Sequence, residues 1–480
     1  MTTMNRRLRL LVAVIALALF VSACSFWNWL DDGTAIAQTT QTTYPIVDSG
    51  QEVTYDNASD GSPEAGSGAS QSSNSPVLGS TYGVQDAFAS RQDEDFILFA
   101  PLAGEEAYLI DRSGEVIHDW NLSGPPGNSV YLLEGGDLLA TYTVEGDFHG
   151  GGIGGGVERL TWNGERVWSF ELATENAHLH HDIEILPNGN VLMISWEAMR
   201  GPEVRAAGLM ASQLPASGQV WSEMILEYDP SIDQIVWEWH LWDHRLPSGW
   251  EAAEHPEKID LDLAASQKTE DWWHLNAVDY NAELDQIVLS SRMASEIWMI
   301  DHALTTVEAV GDAGDLLYRF GNPSMHGGSG MQIFYGQHDA EWLGWPVSGG
   351  AGSTRTLLFD NGDTRERPYS RVVELALPNY ASSSTGVFPE PQIIWEYPHE
   401  ERGDAAFFAD HISGAQRLED GDTLICIGTE GRFLEVTPEG APVWEYVNPF
   451  TGISPGGNPS NEVFRAEAYT ADYIKQDSGL

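Results

Sequence analysis

The stretch Asp271–Asp301, DWWHLNAVDYNAELDQIVLSSRMASEIWMID, decides how this chain is read. Its apolar runs Ala277–Tyr280, Gln286–Ser290 and Glu296–Ile300 are separated by Asn281–Asp285 and Arg292–Ser295, which carry turn-forming residues. That punctuation predicts three short strands in succession. Polar groups gather at one end of them. His274 and Asn276 stand two apart at the start of the first strand, which puts them on one face of an extended chain, and Arg292 stands where the second strand ends. An imidazole, a carboxamide and a guanidinium suit a tetrahedral oxyanion such as sulfate or phosphate, because Arg offers a rigid fork of donors to paired oxygens. The plainer alternative is that His and Arg at strand ends are solvated or satisfied structurally.

Working outward, the same unit returns. A Val- or Ile-rich strand ending in aromatics occurs at Glu115-VIHDW, Glu165-RVWSF, Gln234-IVWEW, Asp315-LLYRF, Gln392-IIWEY and Ala441-PVWEY. Upstream of most of these, a Gly- or Asp-containing turn leads into an apolar strand, as in Leu133-EGGDLLATY, Leu186-PNGNVLMIS, Glu283-LDQIVLSS, Ser353-TRTLLFD and Leu418-EDGDTLICI. A third strand lies between the two, as in Ile225-LEYDP, Glu296-IWMID, Arg371-VVELAL and Phe433-LEVTP. With an inner strand before the turn, each unit has four antiparallel strands, and six units predict an all-β, six-bladed β-propeller. The first unit, Asp95-FILFA, Glu106-AYLID and Glu115-VIHDW, lacks an inner strand. Asn461-EVFRAEAY at the C-terminus is expected to supply it and close the ring, removing the sheet edges that invite aggregation. The insertion Ala198–Trp221 leaves a seven- or eight-bladed ring as an alternative.

The composition agrees. A chain of 480 residues with 18 Trp and 49 Gly suits many short strands and tight turns. Its 72 acidic against 23 basic residues, a formal charge of −49, exclude nucleic acid as a partner. An anionic substrate must then be held by a local cluster of Arg and His. Residues 1–23 read as a signal peptide: a basic segment Asn5–Arg9, the short apolar run Leu10–Phe20, and the lipobox-like Val21-Ser22-Ala23-Cys24. Cleavage before Cys24 and a lipid on its thiol are expected, anchoring the protein to a membrane outside the cytoplasm. Ordinary secretion with cleavage near Ala35-Ile36-Ala37 is the alternative. Residues 24–90, rich in Ser, Gly, Thr and Asn, are expected to be a low-complexity tether, and 91–480 the propeller domain. Cys426, the second of two cysteines, is expected to be a buried small hydrophobe.

Inner strands of a propeller line its channel, so histidines at equivalent points converge. They stand at His180-His181-Asp182, His274-Leu275-Asn276, Gln337-His338-Asp339 and His411-Ile412-Ser413, with Arg292 close to the second. Two other readings stand beside an oxyanion site. Polar residues in repeats often serve blade-to-blade hydrogen bonds. His178-Leu179-His180 also has a spacing usable by a metal, although Arg292 would repel a cation. No role is assigned to His118, His149, His240, His244, His302 or His399, which fall in outer strands or loops.

The segments HHDIEILPNGNVLM (180–193), DWWHLNAVDYNAELDQIVLSSR (271–292), GQHDAEWL (336–343), LLFDNGDTRERPYSRVVEL (357–375) and ISGAQRLEDGDTLIC (412–426) resemble the bacterial arylsulfate sulfotransferases, the PAPS-independent ASST family. The resemblance runs from about Phe96 to Tyr473. It implies a six-bladed propeller that moves a sulfuryl group from an aryl sulfate ester to a phenol through a sulfated histidine, with no cofactor and no metal. By the same resemblance His338 is the histidine that becomes sulfated, while His181, His274, Asn276 and Arg292 grip the sulfuryl oxygens; His411 is a further candidate substrate-binding residue on its inner-strand position alone. Asp339 follows His338 on a strand and is expected on the opposite face. The chain departs from the family in having a low-complexity stretch where periplasmic members carry a dimerising β-sandwich, and in lacking their disulfide. The functional alternatives are a non-catalytic, lipid-anchored propeller that binds sulfated ligands, and a metal-dependent hydrolase.

Overall fold

Residues 271–301 fold as their punctuation predicts, into strands Leu275–Asn281, Gln286–Ser291 and Glu296–Asp301, each antiparallel to the next. The hairpins turn where polar residues accept left-handed backbone, Asp285 at φ 53° and Ser295 at φ 55°. Asp285 Oδ1 also accepts the Tyr280 hydroxyl at 2.8 Å, which ties the first turn to its strand. Tyr318–Phe320 adds the outermost strand and completes the sheet.

The structure is a computed structural model and describes residues 83–87, 95–148, 150–266, 269–343, 354–378, 388–399, 406–454 and 456–478. Among the described residues six such sheets form a six-bladed β-propeller. Blade 2 comprises Pro126–Leu132, Leu138–Thr143, Gly155–Leu160 and Arg166–Glu171; blade 3 comprises Ala177–Ile185, Val191–Met199, Val220–Asp229 and Gln234–His240. The sheet containing residues 275–301 is blade 4. Blade 5 comprises His338–Trp342, Arg355–Asp360, Arg371–Ala376 and Gln392–Tyr397, and blade 6 Gly414–Arg417, Thr423–Ile427, Arg432–Val436 and Pro442–Val447. Blade 1 closes the ring: the C-terminal strand Val463–Thr470 pairs with Asp95–Pro101 as its inner strand, ahead of Glu106–Ile110 and Val116–Asn121.

The ring keeps six blades because the long insertion in blade 3 adds none. Its two flanking strands run on to Met199 and from Val220, and the helix Gly201–Ala206 lies between them. One boundary differs from expectation. Within the stretch read as tether, Gly83–Ala87 forms a fifth strand on the outer edge of blade 6, antiparallel to Pro442–Val447. Backbone pairing along an otherwise open edge outweighs the weak local strand signal there. The expected signal peptide, Cys24, most of the expected tether and His149 lie outside the described residues. No helix among the described residues is long and apolar enough to cross a membrane.

The repeated outer aromatics are blade-to-blade ties. Trp120 of blade 1 donates its indole N–H to Thr161 O of blade 2 at 3.1 Å. Trp237 of blade 3 reaches Leu304 O of blade 4, Trp395 of blade 5 reaches Pro438 O of blade 6, and Trp444 of blade 6 reaches Arg112 O of blade 1, each at 2.8 Å. Each ring also buries apolar surface, on the order of 1.5–3 kcal/mol per side chain. Cys426 is fully buried, and burial pushes its thiol well above the usual range.

Candidate active site

The inner strands meet the central cavity through irregular backbone. Asn128 of blade 2, His181 of blade 3, His274 at the head of blade 4, Asp339 of blade 5, and Ile412 and Ser413 before blade 6 all lie at positive φ, between 46° and 111°. The register slips beside four of these points, between Pro126 and Val130, Met193 and Ser195, Leu275 and Ala277, and His338 and Glu341. Such bulges break the strict alternation of faces and re-aim side chains. Non-glycine residues in this region cost about 1 kcal/mol or more each, and clustering of that strain marks a site.

The cavity holds about 580 Å³ and is lined by His181, His274, Arg292, His338 and His411 among others. Five of the six candidate residues therefore share one space. Asn276 does not. The register slip after Leu275 separates it from His274; it is fully buried and donates its amide to Gln337 O at 2.8 Å. Alternation had placed the two on one face, and the bulge overrides it. Asn276 braces the peptide that precedes His338.

His338 is held in one tautomer. Its Nδ1 lies 2.8 Å from Asn361 Oδ1 and 3.0 Å from Gly336 O, both acceptors, so Nδ1 carries the proton. Asn361 cannot flip, because its amide nitrogen donates to Ala409 O and Ile412 O at 2.9 Å. Nε2 keeps a lone pair, which among the described residues meets only the Ile412 N–H, at 3.2 Å. Burial, then the neighbouring Arg292 cation, hold the ring well below the usual histidine range and hence neutral. Asp339 faces away, as expected from the strand: it binds Arg465 at 2.8 Å.

His274 donates Nδ1–H to Asp271 Oδ2 at 2.6 Å and its backbone N–H to Asp271 Oδ1 at 3.0 Å, so its Nε2 is the ring nitrogen left to the cavity. Its ring meets that of His181 edge-on, centroids 4.5 Å apart. Arg292 hangs from the same bulge, its backbone N–H on His274 O at 3.1 Å. The guanidinium donates to Asp410 O at 3.4 Å and has no carboxylate within ion-pair distance among the described residues. Burial lowers its pKa from the ordinary value, while Asp410 and Asp271 act in the opposite direction. His411 is half-exposed at the rim and pairs with Asp410 at 2.6 Å.

His181 is held neutral by burial and by His274. Gly152 passes so close that a Cβ there would lie 1.9 Å from its ring, at a φ of +81°. Only glycine fits both demands. His180 turns away from the cavity, and its ring nitrogens meet Glu223 Oε2 and His181 Nδ1, each at 2.8 Å. That occupies the nitrogens a metal would use in a His178–His180 pair. Among the described residues no group of three or more His, Cys, Asp or Glu is arranged to hold a metal ion.

Sequence reading passed over Asn361, Glu223 and Asp271. A signal for Asn361 exists: it follows the second strand of blade 5 by one residue, as Arg292 follows the second strand of blade 4. Its Asn-Gly context reads first as a turn.

The arrangement is a cavity with a guanidinium that no carboxylate pairs among the described residues, the neutral imidazole of His181 and a second neutral histidine, His338, whose lone pair is fixed on Nε2. It can bind an anion and attack it. No curated protein sequence matches this chain. Solved structures similar to it include a protein of unknown function from Bacteroides caccae, at 14% identity over 78% of this chain and 98% of that one, TM-score 0.44. The β-propeller domain of Cps50 (Swd1) from Myceliophteria thermophila matches at 12% identity over 78% and 91%, TM-score 0.39. Virginiamycin B lyase from Staphylococcus aureus, as an inactive variant, matches at 9% identity over 81% and 99%, TM-score 0.36. The family model described as Arylsulfotransferase (ASST) matches residues 85–449, which takes in all five cavity residues named above. On that match the chain belongs to the arylsulfotransferase family.

Proposed function

We propose that this arylsulfotransferase works in two half-reactions through sulfated His338, taking the sulfuryl group from an aryl sulfate and giving it to a phenol. The observation that carries the reading is the tautomer of His338: with Nδ1–H held by Asn361 and Gly336, the Nε2 lone pair belongs to the cavity that also holds Arg292. In the first half-reaction Nε2 forms a bond to sulfur and the bond from sulfur to the phenolic oxygen breaks, releasing a phenolate that takes up a proton. The weak hydrogen bond from Ile412 N–H is the one interaction the attack displaces. In the second, the oxygen of another phenol attacks sulfur, the nitrogen–sulfur bond breaks, and the phenolic proton passes to a base.

Sulfuryl transfer, like phosphoryl transfer, goes through a loose in-line transition state, so positioning and charge stabilisation supply most of the rate. Arg292 supplies the fixed positive charge for the sulfuryl oxygens, with the His181 and His274 rings lining the space beside it. His411 guards the rim, where the aryl groups enter and leave.

Quenching the protein after mixing with an aryl sulfate alone tests this. One added sulfuryl group on the peptide bearing His338, with a burst of one phenol per chain, is expected. Binding of the aryl sulfate without burst or adduct would instead favour a propeller that only holds sulfated ligands. The lipobox-like Val21–Cys24 further supports a lipid anchor and a place outside the cytoplasm. Cys24→Ser is expected to abolish palmitate labelling and release the protein from membranes.

A further inference from the structure

Glu223, His180 and His181 form a line that ends in the cavity. Glu223 lies in the middle of blade 3 on strand Val220–Asp229 and is fully buried. Its Oε1 accepts Leu275 N–H at 2.9 Å, and its Oε2 stands 2.8 Å from His180 Nε2. His180 lies flat on Trp196, ring centroids 3.9 Å apart and planes 11° apart, which fixes its plane. Its Nδ1 faces His181 Nδ1 at 2.8 Å. The bulge at His181 is what lets side chains adjacent in sequence meet in this way.

Two neutral imidazoles joined Nδ1 to Nδ1 share one proton between those atoms, so the tautomer of one dictates the other. When Glu223 is a carboxylic acid it donates to His180 Nε2. His180 then donates from Nδ1, and His181 must carry its proton on Nε2, facing the cavity. When Glu223 is a carboxylate every proton sits one position back, and His181 Nε2 presents a lone pair. We infer that Glu223–His180–His181 is a proton relay that delivers a proton to the departing phenolate and recovers one from the incoming phenol. This rests on the two-step reading proposed above.

The steps balance. As sulfur leaves the phenolic oxygen for His338, His181 Nε2 gives its proton to that oxygen, His180 Nδ1 passes one to His181 Nδ1, and Glu223 passes one to His180 Nε2. Glu223 ends as a carboxylate and neither imidazole is ever charged. The second half-reaction runs the line backward and restores the acid. The surroundings suit a proton store: the titratable groups facing Glu223 are His180, across the intervening strand of blade 3, and, from blade 4, Asp271 and His274, with His178 behind His180. Burial and the Asp271 carboxylate raise Glu223 well above the usual carboxylate range, and burial lowers both histidines, so the line starts neutral.

Glu223→Gln separates this relay from a structural hydrogen bond, because the amide keeps the geometry and has no proton to release. Sulfation of His338 is measured with phenyl sulfate, whose leaving phenol titrates near pKa 10 and needs a proton, and with nitrophenyl sulfate, whose phenolate leaves readily. The variant is expected to lose ~10²-fold with phenyl sulfate and at most a few-fold with nitrophenyl sulfate. Equal losses with both donors, or none with either, overturn the relay. In the wild-type protein the proton inventory with phenyl sulfate should curve, since several protons move together; a straight line, one proton in flight, overturns it without any variant. A wild type that never forms sulfated His338 overturns the covalent reading and the relay with it.

Discussion

His181-Asp182 in blade 3 and His338-Asp339 in blade 5 are the same dipeptide at equivalent points, and in each the two side chains serve opposite regions. The histidines enter the cavity. The aspartates turn to the axis and clamp one guanidinium, Arg465 of the ring-closing strand, at 3.0 Å from Asp182 and 2.8 Å from Asp339. Arg465 also donates to the Tyr131 hydroxyl of blade 2, so blades 2, 3 and 5 converge on this residue of blade 1. The axial region is rich in carboxylates sharing one cation; the cavity has a cation that no carboxylate pairs among the described residues. A chain of net charge −49 can thus hold an anion, because the local field at a buried site outweighs a distant, screened surface.

The sharpest way to break the comparison is to remove the reacting histidine alone. His338→Ala is expected to lower transfer by more than ~10⁴-fold while leaving the thermal transition in place, since Asp339 and Arg465 still clamp the axis. Near-normal turnover in that variant would end the covalent mechanism. The converse is Arg465→Met, which leaves Asp182 and Asp339 as buried, uncompensated charges. Urea unfolding should then show a loss of about 3–5 kcal/mol. A loss confined to activity, with unchanged stability, would mean the clamp belongs to the site after all.

Arg292→Ala should cost ~10²–10³ in rate, the usual effect of losing one donor to developing negative charge, with little change in stability. It also sharpens the pH dependence. His338 sits well below the ordinary value of 6.5 because of burial and Arg292, so its lone pair survives where an ordinary histidine is protonated. The rate of His338 sulfation should therefore hold down to pH 6.5 and fall only below it, and Arg292→Ala should move that acid limb upward. An acid limb above pH 6.5 in the wild type would contradict a neutral, buried nucleophile.

The most gradual effect lies on the axis. Burial, then the Asp339 carboxylate, raise Glu467 from 4.5 to about 8. A group raised on folding stabilises fully below its unfolded value and loses that contribution as pH rises through its folded value. Stability should thus fall between pH 4.5 and 8 by at most ~1.4 kcal/mol per pH unit from this group. Glu467→Gln should flatten that slope in urea titrations at several pH values; an unchanged slope would place the titration elsewhere.

Much of this was legible before folding because strands are local. Alternating apolar residues between turn signals marked the blades, and the unpartnered first unit pointed to Val463–Thr470 as its missing strand. The outer aromatics repeat because blades 1, 3, 5 and 6 use the same indole tie to the next. What resisted reading was any feature that depends on leaving the regular strand. Asn276 shares a face with His274 only if the strand stays in register, and it does not. Glu223 lies far from His180 in sequence and meets it across the intervening strand Val191–Met199, because both side chains stand on one face of blade 3.

The sequence by itself determined the repeated four-stranded unit and the placing of His181, His274, His338 and His411 at inner-strand positions with Arg292 near the second, since strand period and repeat spacing are properties of the chain; the count of six blades was settled by the folded ring. Only the tertiary structure decided which nitrogen of His338 carries the proton, that Asn276 donates to the peptide preceding His338, and that His180 links Glu223 to His181. Those outcomes hang on left-handed residues and bulges, whose strain is tolerated only where the packed ring holds them in place.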